Sequence, residues 1–156
     1  MAGKRDENRN LTIRKMRMED LTALYALLSD PDVMQHIEPP YSMEKTATFI
    51  NDAGISEHPL IYAVDDAENH FIGYVIYHGY EADSVEIGWI LKRSEWGHGY
   101  AQALTTLLIE KARTEKKNVV IECAPEQSVS IHIAVKNGFS YCGRTDGCDV
   151  YRLTLR

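Results

Sequence analysis

Apolar residues near the start of the chain are spaced first as in a strand and then as in helices. Within residues 11–16, leucine, isoleucine and methionine are separated by threonine, arginine and lysine, a near alternation that is typical of a half-buried strand. Over residues 19–28 the apolar positions recur at helical spacing, and Pro31 then ends the run because proline cannot continue a helix. Residues 42–54 predict a second helix, with serine as N-cap and glycine at its end.

The middle of the chain predicts three strands and a longer helix. Residues 60–64 and 71–77 are rich in β-branched and aromatic side chains and are separated by a turn-rich acidic segment, which indicates an antiparallel hairpin. A further strand is predicted for residues 85–91. After a glycine-containing loop, alanine and leucine fall on one helical face over residues 101–116.

The last third of the chain predicts a strand at residues 119–123 and a helix at residues 128–136, which Gly138 ends. Two more strands follow, joined by a turn at Asp146 and Gly147. The order is therefore β-α-α-β-β-β-α-β-α-β-β. This order predicts a mixed α/β (α+β) fold and excludes a purely alternating doubly wound sheet.

Length and composition favour a single globular domain. The chain has 156 residues, of which 44% are hydrophobic and 26% charged, enough for one hydrophobic core but not for two large ones. We expect residues 1–10, which are polar and charged, to form a flexible tail, and residues 11–156 to form the domain. The absence of an apolar leader or membrane-length segment predicts a cytoplasmic protein without membrane partners.

Charge and cysteine content argue against two kinds of binding. The formal net charge is −6, so bulk composition does not supply the basic surface of a nucleic-acid-binding protein. Cys123, Cys142 and Cys148 have no metal-ligand spacing, and we interpret them as reduced, mostly buried thiols rather than as a disulfide or a nucleophile. We therefore expect neither a nucleic-acid partner nor a metal.

The glycine loop before the helix at residues 101–116 is a candidate anion site. Gly97 and Gly99 lie two positions apart, between an apolar strand and the helix start. Unpaired amides and the helix dipole attract phosphate at such an end, and glycines let the backbone approach closely. A plain strand-to-helix turn is the alternative, and the pattern lacks the lysine and serine or threonine of a nucleoside-triphosphate loop.

The residues 96–101, Trp-Gly-His-Gly-Tyr-Ala, resemble the (Gln/Arg)-x-x-Gly-x-(Gly/Ala) signature of the GNAT N-acetyltransferases, with Trp96 in place of glutamine or arginine. Residues 86–91, Glu-Ile-Gly-Trp-Ile-Leu, are similar to the corresponding strand of the ribosomal-protein N-terminal acetyltransferases. Residues 127–139 resemble the family's Asn-x-x-Ser and Lys-x-Gly-Phe elements, although Gln127 replaces asparagine. The resemblance implies a central mixed, mostly antiparallel sheet of about six to seven strands, flanked by about four helices.

The resemblance also implies how the cosubstrate acetyl-coenzyme A (acetyl-CoA) binds. The pantetheine arm would pair with the backbone of Trp89 and Leu91, and the amides of Ile90 and Leu91 would lie near the thioester oxygen. The pyrophosphate would be held by the loop and first helical turn. The cofactor-binding residues predicted in this way are Trp89, Ile90, Leu91, Gly97, His98, Gly99, Tyr100, Ala101, Gln102 and Gln127.

Two side chains are candidates for the acid and base chemistry of acetyl transfer. Glu86 is the candidate general base, acting directly or through water, because partial desolvation on a strand beside the cleft would raise its pKa. A solvated glutamate on the open sheet face is the alternative. Ser130 is the candidate proton donor or thiol-orienting hydroxyl, since many family members have a tyrosine where this chain has Ala134. A serine that only satisfies backbone near a helix start is the alternative.

The predicted function is transfer of an acetyl group from acetyl-CoA to a primary amine by direct attack. The acceptor would be a protein N-terminus, a polyamine or another small amine, and a homodimer is one assembly that we consider. A catalytically inactive acyl-CoA sensor of the same fold is the main alternative, because Ala134 and Gln127 depart from the family pattern. A structural protein whose glycines only form a turn is a third interpretation.

Overall fold

The computed structural model describes the backbone of Lys4–Asp6 and all atoms of residues 10–155. Within these residues one sheet of eight strands is flanked by five α-helices. The strands are β1 (Lys4–Asp6), β2 (Leu11–Arg14), β3 (Ile61–Asp65), β4 (Phe71–Tyr80), β5 (Ser84–Leu91), β6 (Asn118–Cys123), β7 (Ser140–Thr145) and β8 (Cys148–Leu153). The helices are α1 (Leu21–Leu28), α2 (Pro31–Met34), α3 (Met43–Phe49), α4 (Tyr100–Thr114) and α5 (Ser128–Lys136).

The sheet contains one parallel pair, and this pair creates the main opening of the fold. The strand order is β1-β2-β3-β4-β5-β6-β8-β7, and every neighbouring pair is antiparallel except β5 and β6. The parallel ladder joins Ser84, Val85 and Glu86 to residues 118–120 and then ends. The rest of β5 continues to pair with β4, so its edge towards β6 is left open.

Each face of the sheet has its own hydrophobic core. Val85, Ile87 and Leu91 pack with α4 residues such as Leu104 and Leu108 on one face. On the other face, α1, α2 and α3 cover β3 and the adjoining part of β4. Because side chains alternate along a strand, the even-numbered residues of β5 lie on the face opposite α4.

A buried ion cluster joins β2, β3 and the start of α1. The Arg14 guanidinium contacts Asp20 at 2.8 Å and Asp65 at 2.7 Å, and both carboxylates are buried. Burial raises the pKa of Asp20, but hydrogen bonds from Arg14 and the Arg17 amide outweigh it and hold the pKa below its ordinary value. Removal of the arginine would leave two buried carboxylates without their cation.

The predicted mixed fold is confirmed, with two additions. A short helix, α2, follows the first predicted helix, because Pro31 occupies its first turn and Asp30 caps it by accepting from the Asp32 amide. A short edge strand, β1, pairs with β2 inside the segment expected to be a flexible tail. The other residues of that segment, apart from Asn10, lie outside the described residues.

The end of the chain follows the sequence pattern closely. Asp146 and Gly147 both have positive φ, 51° and 82°, as a two-residue hairpin turn of type I′ requires. Gly138, with φ of 90°, follows α5. Among residues 4–6 and 10–155, no helix combines the length and apolar character needed to cross a lipid bilayer.

Candidate functional site

A cavity of about 590 Å³ lies where β5 and β6 separate. Its walls come from the end of β5, the glycine loop, the start of α4 and the start of α5. Residues 32–37 close it on the face of the sheet opposite α4. Ten of the sequence-predicted site residues line it: Trp89, Ile90, Leu91, Gly97, Gly99, Tyr100, Ala101, Gln102, Gln127 and Ser130. Glu86 and His98 are not among the lining residues.

The register of the sheet determines which backbone groups of β5 face the cavity. The Asn118 amide donates to the Asp83 carbonyl oxygen at 2.9 Å, which directs this odd-numbered position towards β6. On the other side, the Lys92 amide donates to the Ile72 carbonyl oxygen at 2.9 Å, which directs an even-numbered position towards β4. Backbone groups alternate in direction along a strand. The odd-numbered residues of β5 therefore present their N–H and C=O groups to the open edge.

Trp89 and Leu91 are the odd-numbered residues that lie beyond the end of the parallel ladder and line the cavity. The Ile90 backbone is turned to β4, and its carbonyl oxygen lies beside Gly73. The Ile90 amide therefore points away from the open edge, and this register does not support its predicted place near the thioester oxygen. Ile90 contributes its side chain to the cavity instead.

Trp96 holds the glycine loop against the end of β5. Its indole N–H donates to the Leu91 carbonyl oxygen at 3.0 Å, and its ring, about half exposed, lines the cavity. This contact uses the carbonyl of Leu91 and leaves the amide of the same residue directed at the open edge. The sequence identified Trp96 as a departure from the family pattern, but it gave no sign of this hydrogen bond.

The glycine loop has the backbone conformation that its sequence predicts. Gly97 and Gly99 have φ angles of 80° and 79°, in the left-handed region that glycine favours. Gly99 is the N-cap of α4 and has no side chain with which to cap the helix. The amides of Tyr100, Ala101 and Gln102 therefore have no partner within the helix. With no acidic residue in this first turn, the helix end retains its attraction for an anion.

His98 is placed differently from the other loop residues. Its Nδ1 lies 3.7 Å from the Glu95 carboxylate, and its ring makes an edge contact with Tyr100 at 5.6 Å between centroids. Since it does not line the cavity, the structure offers no support for a cationic side-chain contact from His98. A contact through its backbone amide stays a prediction.

Helix α5 forms the wall of the cavity that faces the glycine loop and the start of α4. The Gln127 side-chain oxygen accepts from the Ala124 amide at 2.7 Å, so this side chain stabilises the turn before the helix. Ser130 lines the cavity, and no hydrogen bond is found for its hydroxyl among the described residues. Ala134, where many relatives have tyrosine, is fully buried in the core and does not line the cavity. Two hydroxyl-bearing residues of this helix, Ser128 and Ser130, line the cavity instead, and Ser130 lies one turn before Ala134.

Two features of α5 were missed by sequence reasoning. Gln102 and Asn137 exchange side-chain amide hydrogen bonds, both of 2.9 Å, and thereby join the first turn of α4 to the end of α5. Lys136 lines the cavity and is the one lysine or arginine among the described lining residues. The motif around Lys136 was visible in the sequence, but its direction depends on how α5 packs on the sheet.

Glu86 occupies the vertex where β5 and β6 separate. It is the last β5 residue of the parallel ladder, and its side chain lies on the face opposite α4. Ile90 is four residues further, or about 13 Å along the strand. Burial raises the pKa of the Glu86 carboxyl, nearby His78 lowers it and Glu122 raises it further, so that the net shift is upward. A raised pKa suits a general base that works near neutral pH.

The cysteines do not contribute a nucleophile to the cavity. Cys123 is buried, and burial raises the pKa of its thiol to about 11, which keeps it protonated. Cys148 is partly exposed and Cys142 is exposed, so the expectation of mostly buried thiols holds for one residue of the three. None of the three lines the cavity.

Comparisons with known proteins place this sequence and fold in a wider group. The sequence matches the acetyltransferase (GNAT) domain family over residues 10–140. An uncharacterized N-acetyltransferase of Bacillus subtilis, YnaD, is 26% identical over 137 residues, covering 83% of this chain and 79% of the relative. The structure of a GNAT-family acetyltransferase from Bacillus anthracis is similar with a TM-score of 0.84 at 25% identity, over 99% of both chains. A spermidine N-acetyltransferase from Vibrio cholerae, solved with CoA and spermine, gives a TM-score of 0.75 at 23% identity, over 91% of this chain and 92% of that one.

Proposed function

Because the chain belongs to the GNAT acetyltransferase family and is therefore an acyltransferase, we propose that it transfers an acetyl group from acetyl-CoA to a primary amine. The observation that carries this proposal is the open edge of β5 beside the unpaired first-turn amides of α4 within one cavity. Together they match a donor in which a diphosphate is joined to an extended, amide-containing arm that ends in the thioester. Glu86 lies at the vertex of the same opening.

The pyrophosphate of acetyl-CoA would bind at the start of α4. The amides of Tyr100, Ala101 and Gln102 are available there, and the helix dipole favours negative charge. Positive φ at Gly97 and Gly99 shapes the loop backbone around the phosphates. Lys136, on the wall across the cavity, would supply a cationic contact to the phosphates.

The pantetheine arm would extend β5 as an additional strand partner. Its amide groups would pair with the Trp89 and Leu91 backbone at the edge that β6 leaves open. Such an arrangement would bring the thioester carbonyl near the Leu91 amide. A backbone N–H fixed at that point stabilises the negative charge that develops on the carbonyl oxygen during attack.

The amine would approach from the opposite face of the sheet. An ammonium must lose a proton before its nitrogen can attack. Glu86, about 16 Å along the strand from Leu91, would accept that proton through a chain of water molecules. The neutral nitrogen then attacks the thioester carbonyl and the carbon–sulfur bond breaks. The thiolate takes a proton from the Ser130 hydroxyl or from water, and that donor regains a proton from the nitrogen, which must lose its second proton as the amide forms. No acyl-enzyme forms in this scheme, in agreement with the absence of a cysteine among the described lining residues.

The acceptor class follows from charge and resemblance. The formal net charge of −6 and the Glu86 and Glu122 carboxylates near the vertex favour a cationic amine over an acidic one. We propose a polyamine or a protein N-terminus, the latter because residues 86–91 resemble the ribosomal-protein N-terminal acetyltransferases. Residues 32–37, which close the cavity on that face, would contact the acceptor.

Thiol release from acetyl-CoA tests this function. Spermine, spermidine, small monoamines and peptides with a free N-terminus are supplied as acceptors, and N-acetylated product is identified by mass spectrometry. We expect Glu86→Gln to lower kcat about 10²- to 10⁴-fold, the usual range for a general base, and Ser130→Ala to lower it less. Glu44→Gln, an exposed carboxylate on α3, serves as the control with unchanged kcat.

The outcomes separate the alternatives. Thermal stabilisation by CoA without thiol release for any acceptor would support an acyl-CoA sensor and contradict transfer. Neither stabilisation nor turnover would favour a structural role for the glycine loop. Turnover that survives both substitutions at Glu86 and Ser130 would leave the activity standing and show that the assigned roles are wrong.

A further inference from the structure

His78 and Glu86 face each other across two neighbouring strands. The two residues are direct partners in the antiparallel ladder of β4 and β5, and so their side chains lie on the same face of the sheet. His78 Nε2 is 3.7 Å from Glu86 Oε1, and the two side chains are 27% and 20% exposed. The pair thus lies at the vertex of the cleft, partly shielded from water but within its reach.

The backbone fixes the orientation of the His78 ring. Its Nδ1 lies 3.0 Å from the Gly79 carbonyl oxygen, and a carbonyl oxygen only accepts hydrogen bonds. Nδ1 must therefore carry a proton in both the neutral and the charged forms of the ring. In the charged form Nε2 also bears a proton, directed at Glu86, and the imidazolium forms an ion pair with the carboxylate.

The other titratable groups around Glu86 oppose its ionisation or are neutral. Glu122 on β6 acts on it as a like charge. Burial and the two carboxylates also raise the pKa values of Tyr80 on β4 and Cys148 on β8. Arg152, whose guanidinium lies 5.4 Å from the centre of the Tyr80 ring, is bonded to Glu81. Among the described residues, His78 is thus the group that favours the ionised form of Glu86.

We propose that His78 is a positioning residue that acts through Glu86: its ring, held by the Gly79 carbonyl, orients the carboxylate and keeps it ionised and ready to accept a proton. This role rests on the proposed function of Glu86 as the general base. His78 does not line the cavity and need not touch either substrate. Its effect is electrostatic, so it should be visible in the pH dependence of the reaction.

The test compares His78→Gln with the wild type between pH 5.5 and 9.5, using the acceptor that gives the most thiol release in the panel above. Gln cannot carry charge, so we expect the acid limb of kcat/KM to move up by about half to one pH unit, the effect of one charge at this distance in a wet site. That shift is a three- to tenfold loss at low pH which disappears at high pH. His78→Lys, which restores a cation, should return the limb towards the wild-type position.

Controls identify the group through which His78 acts. His70→Gln, an exposed side chain on the turn before β4, should leave the profile unchanged. In the Glu86→Gln background, His78→Gln should cause no further shift in the residual rate. Thermal unfolding and the Kd for CoA are measured for every variant, and we expect both to match the wild type in His78→Gln.

Each other outcome refutes a defined part of the argument. If His78→Gln superposes on the wild-type profile while Glu86→Gln loses activity, the role of His78 is wrong and the general base stands. An equal loss at every pH, or a shift that persists without Glu86, also overturns the role of His78. If Glu86→Gln keeps the wild-type rate and profile, the proposed base itself fails, and His78 then has nothing through which to act.

Discussion

The Gly73→Ala substitution would press two neighbouring strands apart where the thioester is proposed to lie. A methyl group at Gly73 would lie 2.2 Å from the Ile90 carbonyl oxygen and 2.9 Å from the Leu91 Cα. Carbon and oxygen atoms in strands normally approach no closer than about 3.3 Å. The strands must therefore separate by about 1 Å, since both contacts are to backbone atoms and no side chain can rotate away.

The size of the effect follows from this displacement. Overpacking of this kind costs about 1–3 kcal/mol, and in a chain of this length each kcal/mol lowers Tm by about 2–4 °C. The cost to activity should be larger in proportion, because a 1 Å misplacement of reacting groups lowers the rate about 10²-fold. We expect kcat/KM for acetyl-CoA to fall by about that factor while the protein stays folded at 25 °C.

Gly88→Ala is the matched control for this experiment. Gly88 lies on the neighbouring strand, β5, but a methyl group there would meet the Ile76 Cδ1 at 3.1 Å, the far end of a flexible side chain that can move. Urea unfolding and thiol-release kinetics are measured for both variants, together with the Kd for CoA. If the kcat/KM of Gly73→Ala is within a factor of two of that of Gly88→Ala, and the two variants have the same free energy of unfolding, the position of the β5 backbone does not control the donor site. The proposed role of this close contact is then wrong.

Two further predictions concern the ion cluster and the glycine loop. Arg14→Met leaves Asp20 and Asp65 buried without a cation and should lower the free energy of unfolding, measured in urea at pH 7, by about 3–5 kcal/mol. Because the folded-state pKa of Asp20 is lowered, the extra stability of the wild type is present above the ordinary carboxyl pKa and shrinks as the pH falls below about 4. An unchanged urea midpoint at pH 7 would contradict this. Trp96→Phe keeps an aromatic ring but loses the 3.0 Å hydrogen bond to Leu91. The KM for acetyl-CoA should therefore rise about fivefold, the equivalent of one ordinary hydrogen bond, while Tm stays within about 2 °C of the wild type. A KM equal to that of the wild type would show that the loop does not depend on this contact.

The parts of the site that could be predicted from sequence are those built by local structure. The left-handed conformation of Gly97 and Gly99 and the helix that follows them depend on residues within one turn of each other. The turn at Asp146 and Gly147 is local in the same sense. For such segments the residue types alone restrict the backbone to few conformations, so the predicted elements and the observed ones coincide.

The parts that could not be predicted depend on pairing between distant segments. The direction of the Ile90 amide follows from the register of β5 against β4, which the strand sequence alone does not specify. The burial of Ala134 depends in the same way on how α5 is rotated against the sheet. The ion pair of Arg14 with Asp65 joins residues 51 positions apart, so no spacing rule in the sequence could identify it.

The division between backbone and side-chain contacts also has a consequence for substrate choice. In the proposed complex, Leu91, Tyr100 and Ala101 hold the donor mainly through amides, which every residue except proline provides, so many sequences can build the same donor site. The opposite face of the sheet carries instead the side chains of Glu86, Glu122 and residues 32–37. These side chains can distinguish one amine from another. Substitutions at residues 32–37 should therefore change the preferred acceptor and leave the Kd for CoA unchanged, whereas substitutions in the glycine loop should do the reverse.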